Sequence, residues 1–285
     1  MYTLKAQNKY GDIIELTHNE AYVIENIIGI DPPEAVINTT RNANSDGSIF
    51  NSAYVDDRQI TITMAINSPA ETNRINLYKY FKNKYPVRLY YRNGTRDVYI
   101  DGYCKSIAVE FFGKKQIAQI TVVCPAPFFV STTDTRVDFS SVQELFEFPF
   151  CIETPDPDAI PFSEIILEED RVLTNPGDVE VGVEIFIKAL GAVTNPIIYN
   201  AETSEYMKLN VSLSAGDEVY ICTKAKEKAI TLTSSGVTTS IIGKLTSGST
   251  WLVLYPGDNT LGSSADSNPE NMDIYCVVTG MYEGV

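Results

Sequence analysis

Arg58 to Asn67 reads RQITITMAIN, and Ser68 to Asn83 reads SPAETNRINLYKYFKN. In the first stretch Ile60, Ile62, Met64 and Ile66 alternate with Thr61, Thr63 and Ala65, the period of a half-buried strand with one packed face and one wetter face. The second stretch begins as a helix does. Ser68 is placed as the N-cap and Pro69 at the first helical position, with Glu71 reaching back in a capping box. The helix is expected over about 69–83, with Ile75, Tyr78 and Phe81, joined by Leu77, forming an apolar stripe that packs on a sheet. Pro86 prevents its continuation. One helix laid on strands makes this part of the chain mainly β.

Working outward, PVRLYYR (86–92) and DVYIDGY (97–103) flank Asn93-Gly94, a favoured two-residue hairpin turn because both residues tolerate positive φ. SIAVEFF and QIAQITVVC flank Gly113-Lys114 as a further pair. The prolines of Cys124-Pro125-Ala126-Pro127-Phe128-Phe129 mark a strand exit, which places a domain boundary near residue 130. Residues 131–140 are rich in Ser, Thr and Asp and suit a linker. From 141 to 285 short strand-like runs follow one another: LFEFPFCI, FSEIILEE, VEVGVEIFIKA, MKLNV, DEVYICT, KAITLT, STWLVLY and DIYCVV. Turn signals at Asn175-Pro176-Gly177, Ser214-Ala215-Gly216-Asp217, Ser234-Ser235-Gly236 and Pro256-Gly257-Asp258-Asn259 separate them. Many short strands at this spacing mean a sandwich or a barrel.

The 285 residues are enough for two domains, each with its own core. With 44% apolar and 21% charged residues the composition is globular. Lys and Arg number 22 against 37 Asp and Glu, a formal net charge of −15, which disfavours non-specific binding to duplex DNA. Basic and acidic residues balance up to Ser140, so the whole excess lies between Ser141 and Val285. That asymmetry is itself a sign of two folding units. The first twenty residues lack a signal-peptide core, and no apolar run is long enough to span a bilayer, so a soluble chain without a membrane partner is expected. Five cysteines, odd in number and without a C-x-x-C pair, read as reduced, buried thiols.

Catalytic chemistry is hard to place. The single histidine, His18, lies in the polar turn THNE, which removes most Ser-His-Asp, Cys-His and multi-histidine metal arrangements. There is no G-x-S-x-G elbow and no phosphate-binding loop. The acidic groups Glu153, Asp156 and Asp158, and Glu168-Glu169-Asp170, read as solvated faces rather than as converging carboxylates. Trp251 shares a strand face with Val253 and Tyr255, and a packing role outweighs a sugar-stacking one. No enzyme, no cofactor and no metal are expected.

The stretch GDVEVGVEIFIKALGAVTNPIIYNAETSEYMKLNVSLSAGDEVYICT, followed by GSTWLVLYPGDN, resembles the C-terminal domain of phage distal tail proteins. The first half resembles their N-terminal domain in the Asp46-Gly47-Ser48 loop, in Arg58 opening RQITITMAIN, in the helix, and in the aromatic strands ending in CPAPFF. The resemblance implies a tail-tube-like β domain with one helix (1–130), a linker (131–140) and a galectin-like β-sandwich (141–285). It also implies a structural virion protein, a hexameric ring at the tail tip made in the host bacterial cytoplasm. That ring would join the tail tube protein to the tail-tip hub protein, let DNA pass without sequence recognition, and carry a receptor-binding protein. The polar loop 42–52 and the helix are the candidate ring contacts, with Asn42, Asp46, Gly47, Ser48, Phe50 and Tyr78 named as interface residues. The rival is a carbohydrate-binding module or adhesin on host cell-wall polysaccharide. Against it, residues 141–285 contain no histidine and only one arginine, Arg171.

Overall fold

A computed structural model describes residues 2–42, 46–110, 115–144, 163–167 and 170–285. The chain is mainly β, and the described residues form one α-helix. It divides into two compact units, Met1–Thr133 with Met281–Val285, and Asp134–Gly280.

The first unit is built from β1 (Thr3–Asn8), β2 (Ile13–Glu15), β3 (Tyr22–Ile28), β4 (Ala35–Thr40), β5 (Ile49–Val55), β6 (Arg58–Ile66), α1 (Ala70–Tyr80), β7 (Pro86–Arg92), β8 (Asp97–Val109), β9 (Gln116–Cys124) and the start of β10 (Phe129–Asp138). Its main sheet is antiparallel in the order β2-β1-β7-β8-β9-β6-β3. β6 is the quoted stretch, and Ile60, Ile62, Met64 and Ile66 are buried as the alternation demands. Ala65 is buried on the other face too, and Thr61 nearly so. β3 and β9 pair with β6 on its two edges, so the strand is central. The buried cluster joins Leu4, Ala6, Leu89, Val98, Ile100, Ile120, Val122 and Phe129 to Leu77 and Phe81 of the helical segment.

The helix differs from the expected one at its start and on its face. Pro69 itself is the cap residue, with extended backbone (φ −79°, ψ 107°) and no side-chain cap bond. Ser68 therefore lies one residue outside, and Glu71 pairs with Arg74 at 2.7 Å instead of forming a capping box. Ile75 stays 48% exposed, while Leu77 and Phe81, four residues apart, are the buried contacts. The β7–β8 hairpin forms as expected, but its loop has four residues. Asn93 Oδ1 accepts from the N–H groups of Thr95 (2.9 Å) and Arg96 (2.7 Å), and neither Asn93 nor Gly94 has a positive φ. An asparagine side chain closing its own turn replaces the expected Asn-Gly geometry.

Residues 131–138, expected to be a linker, belong to strand β10. Thr132, Thr133, Thr135 and Val137 are β-branched and favour extended backbone, so polarity was a poor guide there.

The second unit continues with β11 (Ser140–Glu144), β12 (Ser163–Leu167), β13 (Asp170–Asn175), β14 (Val181–Gly182), β15 (Glu184–Ala189), β16 (Val193–Asn200), β17 (Tyr206–Lys208), β18 (Ser212–Leu213), β19 (Glu218–Cys222), β20 (Ala229–Ser234), β21 (Val237–Ser240), β22 (Val253–Leu254), β23 (Gly257–Ser267) and β24 (Met272–Tyr282). One sheet runs β24-β15-β19-β20-β21 and the other β13-β23-β16-β17, with β18 also on β16. Val183, Ile185 and Ile187 alternate inward, as do Val219 and Ile221, Ile274 and Cys276, and Leu173 and Leu261, and all are buried. This is a β-sandwich. The long strand β23 has no apolar run in sequence, GDNTLGSSADS, yet it pairs with both β13 and β16. Its Gly262 lies under the Tyr199 ring, where an added Cβ would sit 2.2 Å from a ring carbon. A strand of small residues makes room for its neighbour's aromatic ring. The strand expected over LFEFPFCI, the turn at Gly113-Lys114, Cys151, and the acidic residues Glu153, Asp156, Asp158, Glu168 and Glu169 lie outside the described residues.

Candidate assembly surface

Among the described residues β4 and β5 pair only with each other. The register couples Ala35 to Val55, Val36 to Tyr54, Ile37 to Ala53 and Asn38 to Ser52, then shifts so that Thr39 faces Phe50 and Thr40 faces Ile49. Asn51 is the extra residue, and a bulge of one residue exchanges the faces of everything beyond it. Phe50 therefore joins Ile37, Ala35, Ala53 and Val55 on one side, an almost wholly apolar row. Val36, Tyr54 and Ile49 lie on the other side among Asn38, Ser52 and Thr40. Asn51 Nδ2 donates to Thr40 Oγ1 (2.6 Å) and Asn38 Nδ2 to Ser52 Oγ (3.1 Å), which stiffens the ribbon.

Little of this arm is buried. Ile37 and Phe50 are each 63% exposed, and Ile49 and Tyr54 are more than half exposed. A lone two-stranded hairpin is marginal in water, and two free edges invite further strands. Full burial of side chains such as Phe50 or Ile37 is worth roughly 1.5 to 3 kcal/mol each, so covering this surface is strongly favoured.

Of the residues expected at an interface, Asn42, Asp46, Gly47, Ser48 and Phe50 all lie at or beside the arm's tip, exposed, with Gly47 at φ 88° supplying the turn. Residues 43–45 are outside the described set. Tyr78 lies apart from them, on α1, half-buried, with the Arg74 guanidinium 5.9 Å from its ring. The sequence reading stopped at a polar loop and missed the arm's flanks. Val36, Ile37, Ile49 and Tyr54 could have been found from the β-branched and aromatic runs AVINTT and IFNSAYV either side of Asp46-Gly47.

The root of the arm is held by Arg58, only 4% exposed. Its guanidinium donates to the carbonyls of Gly29 (2.8 Å), Asp31 (2.9 Å), Pro127 (2.6 Å) and Glu283, and it stands 4.9 Å from the Phe129 ring. Burial pulls this guanidinium below its ordinary value, only partly opposed by Cys124, Asp31 and Glu283. The segment 281–285 is tied in further by Val285 N–H to Ile30 O (3.1 Å), and by Arg96, which donates to Gly284 O and stacks on Tyr282. One buried cation thus joins the end of β3, the β9–β10 connection and the returning tail.

Among the described residues no metal-binding cluster gathers near the arm. Burial pushes the Cys124 thiol up to about 12, with Arg58 opposing, and the Cys104 thiol up to about 11. His18 is an exposed turn residue whose Nε2 lies 3.2 Å from Tyr2 O. In the second unit an aromatic row crosses one sheet. Tyr275 and Phe186 stack at 4.5 Å and 10°, Tyr220 follows at 4.9 Å, and Arg136 caps Tyr275 at 3.8 Å. These rings pack on one another and on a guanidinium, and Phe186, Tyr220 and Tyr275 line a cavity of about 230 Å³ with Lys188, Glu218 and Asp273. Leu252 and Leu254 are the buried positions of STWLVLY. Trp251 lies on the opposite, half-buried face with Lys228 Nζ 5.1 Å from its ring, so its packing is peripheral rather than in the core.

Two family models match the chain: a phage tail protein RIFT-related domain over residues 11–124 and a siphovirus-type tail component, C-terminal domain, over residues 176–275. No curated protein matches. Among solved structures, the Dit protein of phage SPP1, described as a paradigm of the hub adsorption apparatus in phages infecting Gram-positive bacteria, aligns with a TM-score of 0.69 over 99% of each chain at 13% identity. A chain of the phage P2 baseplate in its activated, calcium-containing conformation aligns with a TM-score of 0.52 over 100% of each chain at 10% identity. At these identities the likeness is one of fold.

Proposed function

The chain belongs to the phage distal tail protein family, and from that premise we propose that its first unit assembles copy against copy into a hexameric ring at the tail tip, through the arm formed by β4 and β5. The ring joins the tail tube to the tip hub, encloses a passage for DNA, and presents the second unit outward as a platform for receptor-binding proteins. The role is structural rather than catalytic, and the protein works in the virion after synthesis in the bacterial host. The observation that carries this reading is the bare arm, whose apolar row of Ile37, Ala53, Val55 and Phe50 has no cover within its own unit. Edge pairing or face burial by a neighbouring copy supplies that cover.

The test replaces residues 42–52 with a short Gly-Ser link in the full chain. Wild-type protein is expected to show rings with a central hole in negative-stain images and a matching mass by mass photometry, and the shortened chain is expected to run as a folded monomer. Rings that survive the replacement would remove the arm from the interface. A saccharide-binding reading of the second unit finds no comparable support, since the rings of its aromatic row pack on one another.

A further inference from the structure

The first unit sums to no net charge, and two places on it gather mainly one sign of charge without ion-pair partners: carboxylates at the root of the arm, with Lys105 on Gln59 at their edge (3.1 Å), and lysines around the β1–β2 turn, with Asp12 among them. Five ion pairs form at close range: Lys5 with Glu15 (3.6 Å), Arg74 with Glu71 (2.7 Å), Arg88 with Asp101 (2.6 Å), Arg92 with Asp97 (3.5 Å), and Lys115 with Glu25. Among the described residues no ion pair involves Asp31, Glu34, Asp56 or Asp57. These four exposed carboxylates lie in the two segments that lead into and out of the arm, around a groove of about 460 Å³ that also takes in Pro32, Pro33 and Gln59. The buried Arg58 beneath them spends its donors on carbonyls.

The complementary set lies on the other flank. Lys9, Lys79, Lys82 and Lys84 are exposed and have no carboxylate partner among the described residues. The β1–β2 turn and the end of α1 bring them together, with Asn8 Nδ2 3.5 Å from Lys79 O. Lys9 Nζ sits 3.9 Å over the Tyr85 ring and 4.8 Å from Tyr10, and Lys82 Nζ lies 5.9 Å from Tyr85. Lysines resting on ring faces are held in place while keeping their charge available. In strand order β1 and β3 are five spacings apart along the sheet, and no ion pair joins the two sets among the described residues.

We infer that the lysine and tyrosine patch of one copy receives the acidic root of the next copy's arm, a head-to-tail contact between two different faces of the same unit. Such a contact is heterologous and does not stop at a dimer; it gives a ring where the rotation between copies closes, which is the case the ring reading requires. The charge pattern adds specificity and register to the apolar cover that the arm needs. This assignment rests on the ring reading above and names the surface on the neighbour that the reading leaves open.

The test uses three variants of the full chain, each checked for an unchanged melting temperature. Lys9→Glu, Lys79→Glu and Lys82→Glu together make both flanks acidic. Glu34→Lys, Asp56→Lys and Asp57→Lys together make both flanks basic. Each set is expected to raise the concentration for half-assembly at least tenfold in mass photometry, and all six changes in one chain are expected to bring it back to within about threefold of wild type. Assembly untouched by either triple reversal, or lost in both and not recovered in the sixfold variant, would overturn the docking assignment. If the arm replacement abolishes assembly while the reversals do not, the assignment falls and the ring stands. A wild-type chain that stays monomeric at every concentration removes the ring itself and this contact with it.

Discussion

Two hairpins of this protein carry equally bare strands and make opposite points about them. In the arm, Phe50 is 63% exposed, and at the β20–β21 hairpin of the second unit Val237 is also 63% exposed. β20, however, pairs with β19 along five positions from Cys222↔Ala229 to Glu218↔Thr233 and buries Ile230 completely. Among the described residues β4 and β5 have no third strand, and neither strand has a fully buried residue. Exposure of a side chain therefore does not mark an interface by itself. An ordered apolar ribbon with no further strand beside it among the described residues is the stronger signal, because conformational order has to be offset by burial somewhere.

The largest expected contrast is between core truncations. Ile230→Ala is expected to cost about 3 kcal/mol in urea unfolding of the second unit, whereas Ile37→Ala is expected to change the monomer by less than about 0.5 kcal/mol. Equal losses would mean that the arm packs on its own unit, and the comparison would break. A smaller effect separates the two turns. Gly236 (φ 79°) and Gly47 (φ 88°) both adopt left-handed backbone with open space around a would-be Cβ, so alanine strains each locally by about 1 kcal/mol. Gly236→Ala should lose that amount in global unfolding. Gly47→Ala should lose less than half of it, because the arm opens on its own before the unit does.

The smallest effect is acid sensitivity near the β20–β21 hairpin. The Asp217 carboxyl is held below its ordinary value by a hydrogen bond from Ser234 and by the Ser214 N–H, with burial opposing. A carboxyl depressed in the folded state contributes stability above its unfolded value of about 3.9 and loses it as pH falls through the folded value. The second unit should therefore weaken below about pH 4, and Asp217→Asn should flatten that part of its stability curve. An unchanged slope would show that the Ser234 and Ser214 contacts are not maintained in solution.

What was legible in the sequence was periodicity. RQITITMAIN, PVRLYYR and VEVGVEIFIKA each announce a strand through alternation, because one residue in two meets the core, and the structure buries the residues that alternation selects. What stayed hidden depends on partners distant in the chain. β23 has no apolar alternation and exists because Gly262 accommodates Tyr199. The helix was placed correctly, and of its expected stripe Leu77 and Phe81 are buried, Tyr78 is half-buried and Ile75 is exposed. At the candidate surface the expected residues Asp46, Gly47 and Phe50, chosen from the polar loop and the family resemblance, lie at the tip of the β4–β5 ribbon. The apolar row was missed because the Asn51 bulge moves Phe50 beside Ile37, and no parity count reveals a bulge.

Arg58 binds the carbonyl of Glu283, and residues 281–285 complete the first unit although they are translated after all of the second. The consequence is one of timing. As the chain leaves the ribosome, the first unit waits for its final segment until the whole sandwich has emerged. A polypeptide released early, anywhere beyond residue 133, carries the arm but leaves the guanidinium at its root one acceptor short. Synthesis thus makes the second unit a condition for finishing the first, and a chain released early leaves the root of the arm incomplete.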